Sequence, residues 1–344
     1  MNIDYLDLVF STCFSLRKMK KIIIQELADK EFMLRPQLHI LLVSPFGTFK
    51  SSITKKLEKQ YSNTIYPIDD FTKPGLEGSI AKDGDYVPPL LTRLGGKLLI
   101  IDEWNNVDFF GQRALLGLLE NQRVSRTIGF KVKTPYKHKN KYGYFIIKDN
   151  RIFGTMLFSC IAYAMEYPVR EGSQKDKALL SRFTPLFIQP NLTYMRAHTR
   201  GEFDINISDY SGNIEEVIIE KKTYLEFHNQ YYNYVQAKSL VPIDSDDFGY
   251  LSRVMSDIIR FGVFNYLSKN NTTDKKIVIK EASYFKEMFI YIHTLLQQYI
   301  HPKTKGKIWQ YKQLLKKYPN KKKEFYYKTL GVSRQTLYEY DQKL

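Results

Sequence analysis

The residues best suited to chemistry lie together between His39 and Ile53, in HILLVSPFGTFKSSI. Ile40, Leu41, Leu42 and Val43 read as a short buried strand, Ser44 to Phe49 as a turn-rich loop, and Lys50-Ser51 as the opening of a helix. That order builds a phosphate-binding loop, because the free N–H groups at a helix start and the positive end of its dipole attract phosphate oxygens. On this reading Ser44, Pro45, Phe46, Gly47, Thr48 and Phe49 wrap a triphosphate together with Lys50, Ser51 and Ser52. Lys50 adds a point charge at the β- and γ-phosphates, and the Ser51 hydroxyl reaches Mg2+. Against the pattern G-x-x-x-x-G-K-[S/T], Ser44 and Phe49 stand where the outer glycines belong, while Gly47 and Thr48 lie inside the loop. An ordinary strand-turn-helix would show the same order of elements.

A second stretch, Lys97 to Glu103 (KLLIIDE), sharpens the choice. It is an all-apolar strand ending in two adjacent acids, and in a parallel sheet ligands sit beyond the carboxyl ends of the strands. Asp102 is placed to ligate Mg2+ and Glu103 to polarise an attacking water. One strand ending in Lys-Ser and another in Asp-Glu together read as a P-loop nucleoside triphosphatase that uses ATP and Mg2+.

Other elements must position these groups. Leu16, Met19, Ile22, Ile23 and Leu27 recur at helical spacing and predict a helix over residues 8–28. The helix after the loop continues through Thr54 to Lys59, residues 71–95 read as loop, and Gln112 to Asn121 reads as an amphipathic helix. From Gln122 to Phe158 apolar and basic residues alternate around a polar tip, PYKHKNKYG, which predicts a long β-hairpin. Lys131, Lys133, Lys137, His138, Lys139 and Lys141, with Tyr136 and Tyr142, are its candidate nucleic-acid contacts, cations for phosphates and rings for bases. Leu157 to Ile161 reads as the end of the next strand, and residues 191–220 show no period. Residues 220–296 read as helical, including Tyr250 to Leu267 and Ala282 to Leu296. The last forty residues give a helix from Ile308 to Tyr318, then Phe325 to Leu330, a turn at Gly331 and a helix capped by Ser333. This helix-turn-helix directs Arg334, Gln335, Thr336 and Tyr338 outward, types that read base edges and phosphates.

The 344 residues suffice for two or three domains. The net charge of +16 is unevenly spread: residues 131–151 carry seven Lys/Arg against one acid, and residues 303–344 twelve against three. Basic charge concentrated on particular segments is the electrostatic footprint of nucleic-acid binding. Cys13 and Cys160 exclude a disulfide framework or cysteine-based zinc site and fit a reducing compartment. No apolar run reaches the ~20 residues of a membrane span, and the start of the chain lacks a signal-peptide pattern, so a cytoplasmic protein without a membrane partner is expected.

Taken together these pieces resemble an AAA+ ATPase, specifically the MCM branch of replicative helicases, over roughly residues 8–296. HILLVSPFGTFKS is similar to the MCM phosphate loop, and TKPGLEGSI followed by LGGKLLIIDEW to the segment leading into its second acidic strand. QRALLGLLENQRVS resembles the helix and turn that follow, LLSRF the arginine-finger motif, and SRVMSDIIR the helix carrying the second sensor. The resemblance implies an AAA+ P-loop core (parallel sheet flanked by helices) over residues 1–195. It further implies a linker or insertion at 196–220, a small helical lid at 221–298, and a helix-turn-helix or winged-helix module at 303–344. It implies Ser159 as first sensor, Arg182 as a finger reaching a neighbouring subunit's site, and Arg253 as second sensor. The basic hairpin would grip single-stranded DNA in the channel of a homo-oligomeric ring, a hexamer, while the C-terminal module contacts duplex. On this resemblance the N-terminal OB-fold and zinc ribbon of cellular MCM are expected to be missing, as in a short version from a virus or plasmid acting in the host cytoplasm. The expected activity is an ATP-driven helicase or translocase in DNA replication. Two alternatives stand beside it: an AAA+ initiator, loader or transposition regulator that binds duplex with ATP as a switch, and a catalytically degenerate assembly factor.

Overall fold

The computed structural model describes residues 3–25, 31–43, 50–80, 85–127, 131–164, 182–187, 200, 205–210, 212–237, 245–270, 272, 274–289, 311, 314–315, 318–319, 321–330 and 332–342. They form two compact units, Met1–Tyr291 and Ile292–Leu344. In chain order the first unit opens with α1 (Ile3–Leu16), β1 (Lys21–Gln25), β2 (Glu31–Leu34), β3 (His39–Val43), α2 (Lys50–Tyr61) and β4 (Ile65–Ile68). Next come α3 (Lys73–Glu77), β5 (Ser79–Ile80), β6 (Tyr86–Val87), α4 (Leu91–Leu94), β7 (Leu98–Ile101) and α5 (Phe109–Asn121). Then follow β8 (Arg123–Thr127), β9 (Tyr136–Asn140), β10 (Gly143–Lys148), β11 (Arg151–Met156), β12 (Ser159–Ala164) and β13 (Thr184–Phe187). β14 (Glu216–Ile219), α6 (Lys221–Ala237), α7 (Ser245–Lys269) and β15 (Lys276–Ile279) complete that unit, and the second holds α8 (Lys323–Leu330) and α9 (Arg334–Gln342).

The centre of the first unit is an α/β arrangement built on a five-stranded parallel sheet in the order β13-β3-β12-β7-β4. β3, β7 and β12 are buried at every position, as continuous apolar runs must be when both faces are covered. α1 packs on β12 and α2 on β4. From β3 the chain crosses over to β4 at one edge, whereas from β12 it crosses to β13 at the other. Two adjacent strands whose connections depart in opposite directions leave a crevice beyond their carboxyl ends, where open α/β sheets bind ligands.

A four-stranded antiparallel sheet, β8-β11-β10-β9, packs on this core by one face only. Val124, Phe145, Ile147 and Ile152 join Leu91, Leu115 and Leu118 in the main apolar cluster, and the alternate residues face water. The expected hairpin tip is not free. YKHKN forms the edge strand, and the reversal at Lys141-Tyr142 rests on the core, with Leu157 N–H donating to the Tyr142 carbonyl at 3.0 Å. Gly96 permits that contact: its φ is +71°, and a Cβ there would lie 2.5 Å from the Tyr142 ring.

A third sheet, β15-β14-β1-β2, overturns two readings of the sequence. The helix expected over residues 8–28 ends at Leu16, and KIIIQ runs as a strand, parallel to β14 and antiparallel to β2. Three consecutive isoleucines favour a strand buried between two neighbours, and that preference overrides the helical spacing. The stretch read as linker supplies β14. Its residues 205–210 lie along α1, with Ser208 and Tyr210 N–H groups donating to the Ser11 and Ser15 hydroxyls. The supposed all-helical lid contains β15, which pairs with β14. Its helix α7 is tied to the central sheet through Asp257, which accepts from the Thr184 hydroxyl and pairs with Arg260 at 2.6 Å.

In the second unit α8, a short turn and α9 pack around Tyr311, Tyr326, Leu330 and Leu337. Ser333 caps α9, accepting from Thr336 N–H at 3.0 Å. Among the described residues the unit shows these two short helices packed against each other.

Candidate functional site

β3 hands over to α2 across Ser44, Pro45, Phe46, Gly47, Thr48 and Phe49, which lie outside the described residues. Lys50 is the first residue of α2, a twelve-residue helix with no acid in its first turn, so its leading N–H groups face no carboxylate on their own helix. Ser51 and Ser52 follow, both exposed. The Lys50 side chain runs along the sheet's carboxyl edge, where Nζ donates to the carbonyl of Ala164, the last residue of β12, at 3.4 Å. The ammonium therefore stands between the ends of β3 and β12, at the crevice that the strand order creates.

β7 brings the acids to the same edge. Asp102 and Glu103 follow its last residue, and their N–H groups donate to the Ile68 and Asp69 carbonyls at 2.9 and 3.0 Å, extending the pairing with β4 past the strand. Trp104, fully buried against Phe183 at 5.2 Å between ring centroids, anchors the turn that follows. Burial lowers the Lys50 pKa from its usual 10.5, and the charges of Asp102 and Glu103 push back. β12 pairs with β7, Ala162 opposite Ile101, so the lysine at the end of β12 and the acids just past β7 stand at neighbouring strand ends. Oδ1 of Asp102 is buried with no hydrogen-bond partner, a position that a cation or its water would satisfy. Glu103 is exposed, and its carboxylate accepts from the Asn106 side chain. Among the described residues no three His, Cys, Asp or Glu cluster to hold a metal by themselves. A Mg2+ site needs only one or two carboxylates when phosphate oxygens and water complete its shell, so Asp102 with Ser51 fits that donor set.

The other expected residues divide. Arg182, just ahead of β13, forms an ion pair with Glu120 near the end of α5. Ser159 is not at the site: it is the first residue of β12, paired with Leu98, the first of β7. Ala164 lies five positions further along the strand, which puts Ser159 about 16 Å from the carboxyl edge. The run Met156 to Ile161 conceals the break at Leu157-Phe158, where the chain passes from β11 in one sheet to β12 in another, so the strand read as ending there begins there. Arg253 lies on α7, and its side chain is outside the described residues.

The basic residues expected on the hairpin also separate. Lys137 and Lys139 point to water from β9, whereas Tyr136 and His138 turn inward and are half-buried, Tyr136 lying 5.9 Å from Tyr86. Lys141 sits on the reversal, its ammonium 5.0 Å from the Tyr142 ring centroid. Lys131 and Lys133 are exposed ahead of β9. On α9, Gln335 is exposed, Arg334 lies 5.9 Å from the Tyr327 ring centroid and Tyr338 is 61 % exposed. Thr336 is half-buried, with its hydroxyl engaged by Ser333, so it belongs to the cap rather than to an outward surface.

Reading the sequence missed Asn106, which holds Glu103, and Glu120, which holds Arg182. Asn106 stands three residues past the acids, a spacing that could have suggested it, but nothing local announces Glu120. Comparison with protein-family models and with curated proteins finds no match, so the functional assignment rests on the residues themselves. Among the described residues no helix is long and apolar enough to cross a membrane.

Proposed function

We propose that the chain is an ATP-driven DNA translocase of the MCM-like AAA+ class, acting in replication as a ring of identical subunits. The observation that carries this reading is the meeting of Lys50, Asp102 and Glu103 at the carboxyl edge of the parallel sheet, with Asp102 Oδ1 buried and unpartnered. The AAA+ and MCM assignment draws on the sequence motifs, and the parallel sheet with its crevice beside Lys50 is compatible with them.

On this reading Lys50 and the first turn of α2 bind the β- and γ-phosphates, and half-burial strengthens the lysine's attraction because less water screens it. Mg2+, held by Asp102 and Ser51, would offset negative charge on the phosphate oxygens. Glu103, held by Asn106, orients a water and accepts its proton as that water attacks the γ-phosphorus, while the bond from that phosphorus to the β,γ-bridging oxygen breaks and ADP leaves with the electron pair. Arg182 of one subunit serves the site of the next, exchanging Glu120 for the phosphate when subunits assemble.

The test is ATP hydrolysis with and without single-stranded DNA, together with strand displacement on a forked substrate. Unwinding by the wild type that disappears in Lys50→Ala and Arg182→Ala supports the proposal. ATP-dependent duplex binding with no unwinding would replace it by a switch, and no hydrolysis in wild type or Glu103→Gln would end it.

A further inference from the structure

The antiparallel sheet has a second face that the hydrolytic site does not use. Across its four strands the outward residues fall into rows fixed by the pairing register. One row reads Lys139, Tyr144, Thr155, Arg123, the next Lys137, Ile146, Phe153, Ser125, and the last Lys148, Arg151, Thr127. Rows are about 7 Å apart, two residues along a strand.

Two features of this face are independent of each other. Its charge is of one sign, since five cations and no acid project from it, and all five are exposed. Its apolar residues are central: Tyr144, Ile146 and Phe153 lie on the two inner strands, with Phe153 36 % exposed and Tyr144 half-buried. The cations surround them on three sides, Lys137 and Lys139 on one edge strand, Arg123 on the other, and Lys148 and Arg151 at one end. Exposed rings inside a cationic rim match a polymer that has flat apolar bases along one side and phosphates along the other. Duplex keeps its base faces stacked inside and would meet the rim alone, whereas single strands offer both.

We propose that this outer face is a platform for single-stranded nucleic acid, with Tyr144 and Phe153 stacking two successive bases and the surrounding arginines and lysines holding phosphates. The platform deepens the translocase reading by naming where the strand lies, and it places the contact on the flat of the sheet, not at the Lys141-Tyr142 reversal packed on Gly96. Register puts Tyr144 and Phe153 in diagonal positions on neighbouring strands, about 7–8 Å apart, so each ring can take its own base.

The experiment uses the full chain without nucleotide and measures binding of a fluorescein-labelled twenty-nucleotide oligothymidine by anisotropy, with oligouridine and a blunt duplex alongside. Each ring replaced in Tyr144→Ala and Phe153→Ala is expected to weaken single-strand binding roughly 5- to 150-fold. Tyr144→Phe should retain it, which separates loss of stacking from loss of folding. Arg123→Glu with Lys139→Glu should weaken binding further and reduce the slope of log Kd against log salt, by about 0.7 for each lost phosphate contact. Photocrosslinking with 5-iodouracil strands should map to Tyr144 or Phe153. Crosslinks confined to other residues, or single-strand affinity unchanged by both alanine substitutions, overturn the platform. Blunt-duplex affinity that falls as far as single-strand affinity in Tyr144→Ala and Phe153→Ala also overturns it. Because the assay contains no ATP, a chain that binds strands here yet never hydrolyses ATP keeps the platform and loses the translocase.

Discussion

The carboxyl edge of the parallel sheet and the outer face of the antiparallel sheet both gather charge, but in opposite ways. At the edge, one lysine and two acids are brought together at neighbouring strand ends, and Lys50 and Asp102 are half-buried, so their charges act in a medium that screens them less than open water does. On the face, five cations of one sign stand in water, each worth little alone and jointly sensitive to salt. The first arrangement suits bond cleavage, which needs a few groups at fixed positions. The second suits a grip on a polymer that must be released and retaken. The difference follows from sheet type: strands covered on both faces can expose functional groups only at their ends, whereas a sheet covered on one face can use the whole of the other.

The strongest test of this division is at Arg182. If hydrolysis is completed across subunits, Arg182→Ala should lower the ATPase rate by about 10³-fold or more in the assembled protein while leaving oligothymidine binding intact. A rate reduced less than tenfold would remove the neighbouring subunit from the chemistry. Glu103→Gln comes next, with an expected loss of 10²- to 10⁴-fold in turnover and unchanged nucleotide affinity, read by steady-state rates beside equilibrium binding of a fluorescent ATP analogue.

Salt should part the two regions directly. Raising it from 50 to 200 mM is expected to weaken single-strand binding roughly 10²-fold if all five cations meet phosphates. Over the same range, hydrolysis measured without DNA should change about twofold at most. A smaller consequence concerns Lys50. Its folded-state pKa lies below 10.5, so on raising pH it loses its proton earlier than an exposed lysine, and nucleotide affinity should fall through the window just beneath 10.5. Lys50→Arg, charged throughout, should flatten that profile even if its absolute affinity is lower. The smallest expected effect is at Ser159: its buried hydroxyl lacks a partner at the amino end of β12, so Ser159→Ala should leave kcat within about twofold and the melting temperature unchanged or slightly raised.

Legibility followed the range of the interactions. β3, β7 and the start of α2 could be read because continuous apolar runs and the Lys-Ser and Asp-Glu pairs are local signals. The Ser333 cap was equally local, a hydroxyl three residues ahead of the N–H that it accepts from. β1 could not be read, since KIIIQ becomes a strand by lying between β2 and β14, the latter almost 200 positions away. The link from Thr184 to Asp257 spans 73 residues and leaves no pattern in either segment. The hairpin was half legible: alternation in GYFIIK and RIFGTM announces strands, but which alternate residues meet water depends on where the core lies.

By itself the sequence determined which residues carry the charges and hydroxyls suited to an anion, where charge of one sign accumulates and which runs must be buried, because those properties belong to side chains and their immediate neighbours. Only the tertiary structure decided that Lys50 meets the end of β12, that Ser159 stands at the far end of that strand, and that five cations share one face with two rings. Strand order, direction and register set those facts, and they come from pairing between segments far apart in the chain, where a shift of one residue would turn every side chain of a strand to the opposite face.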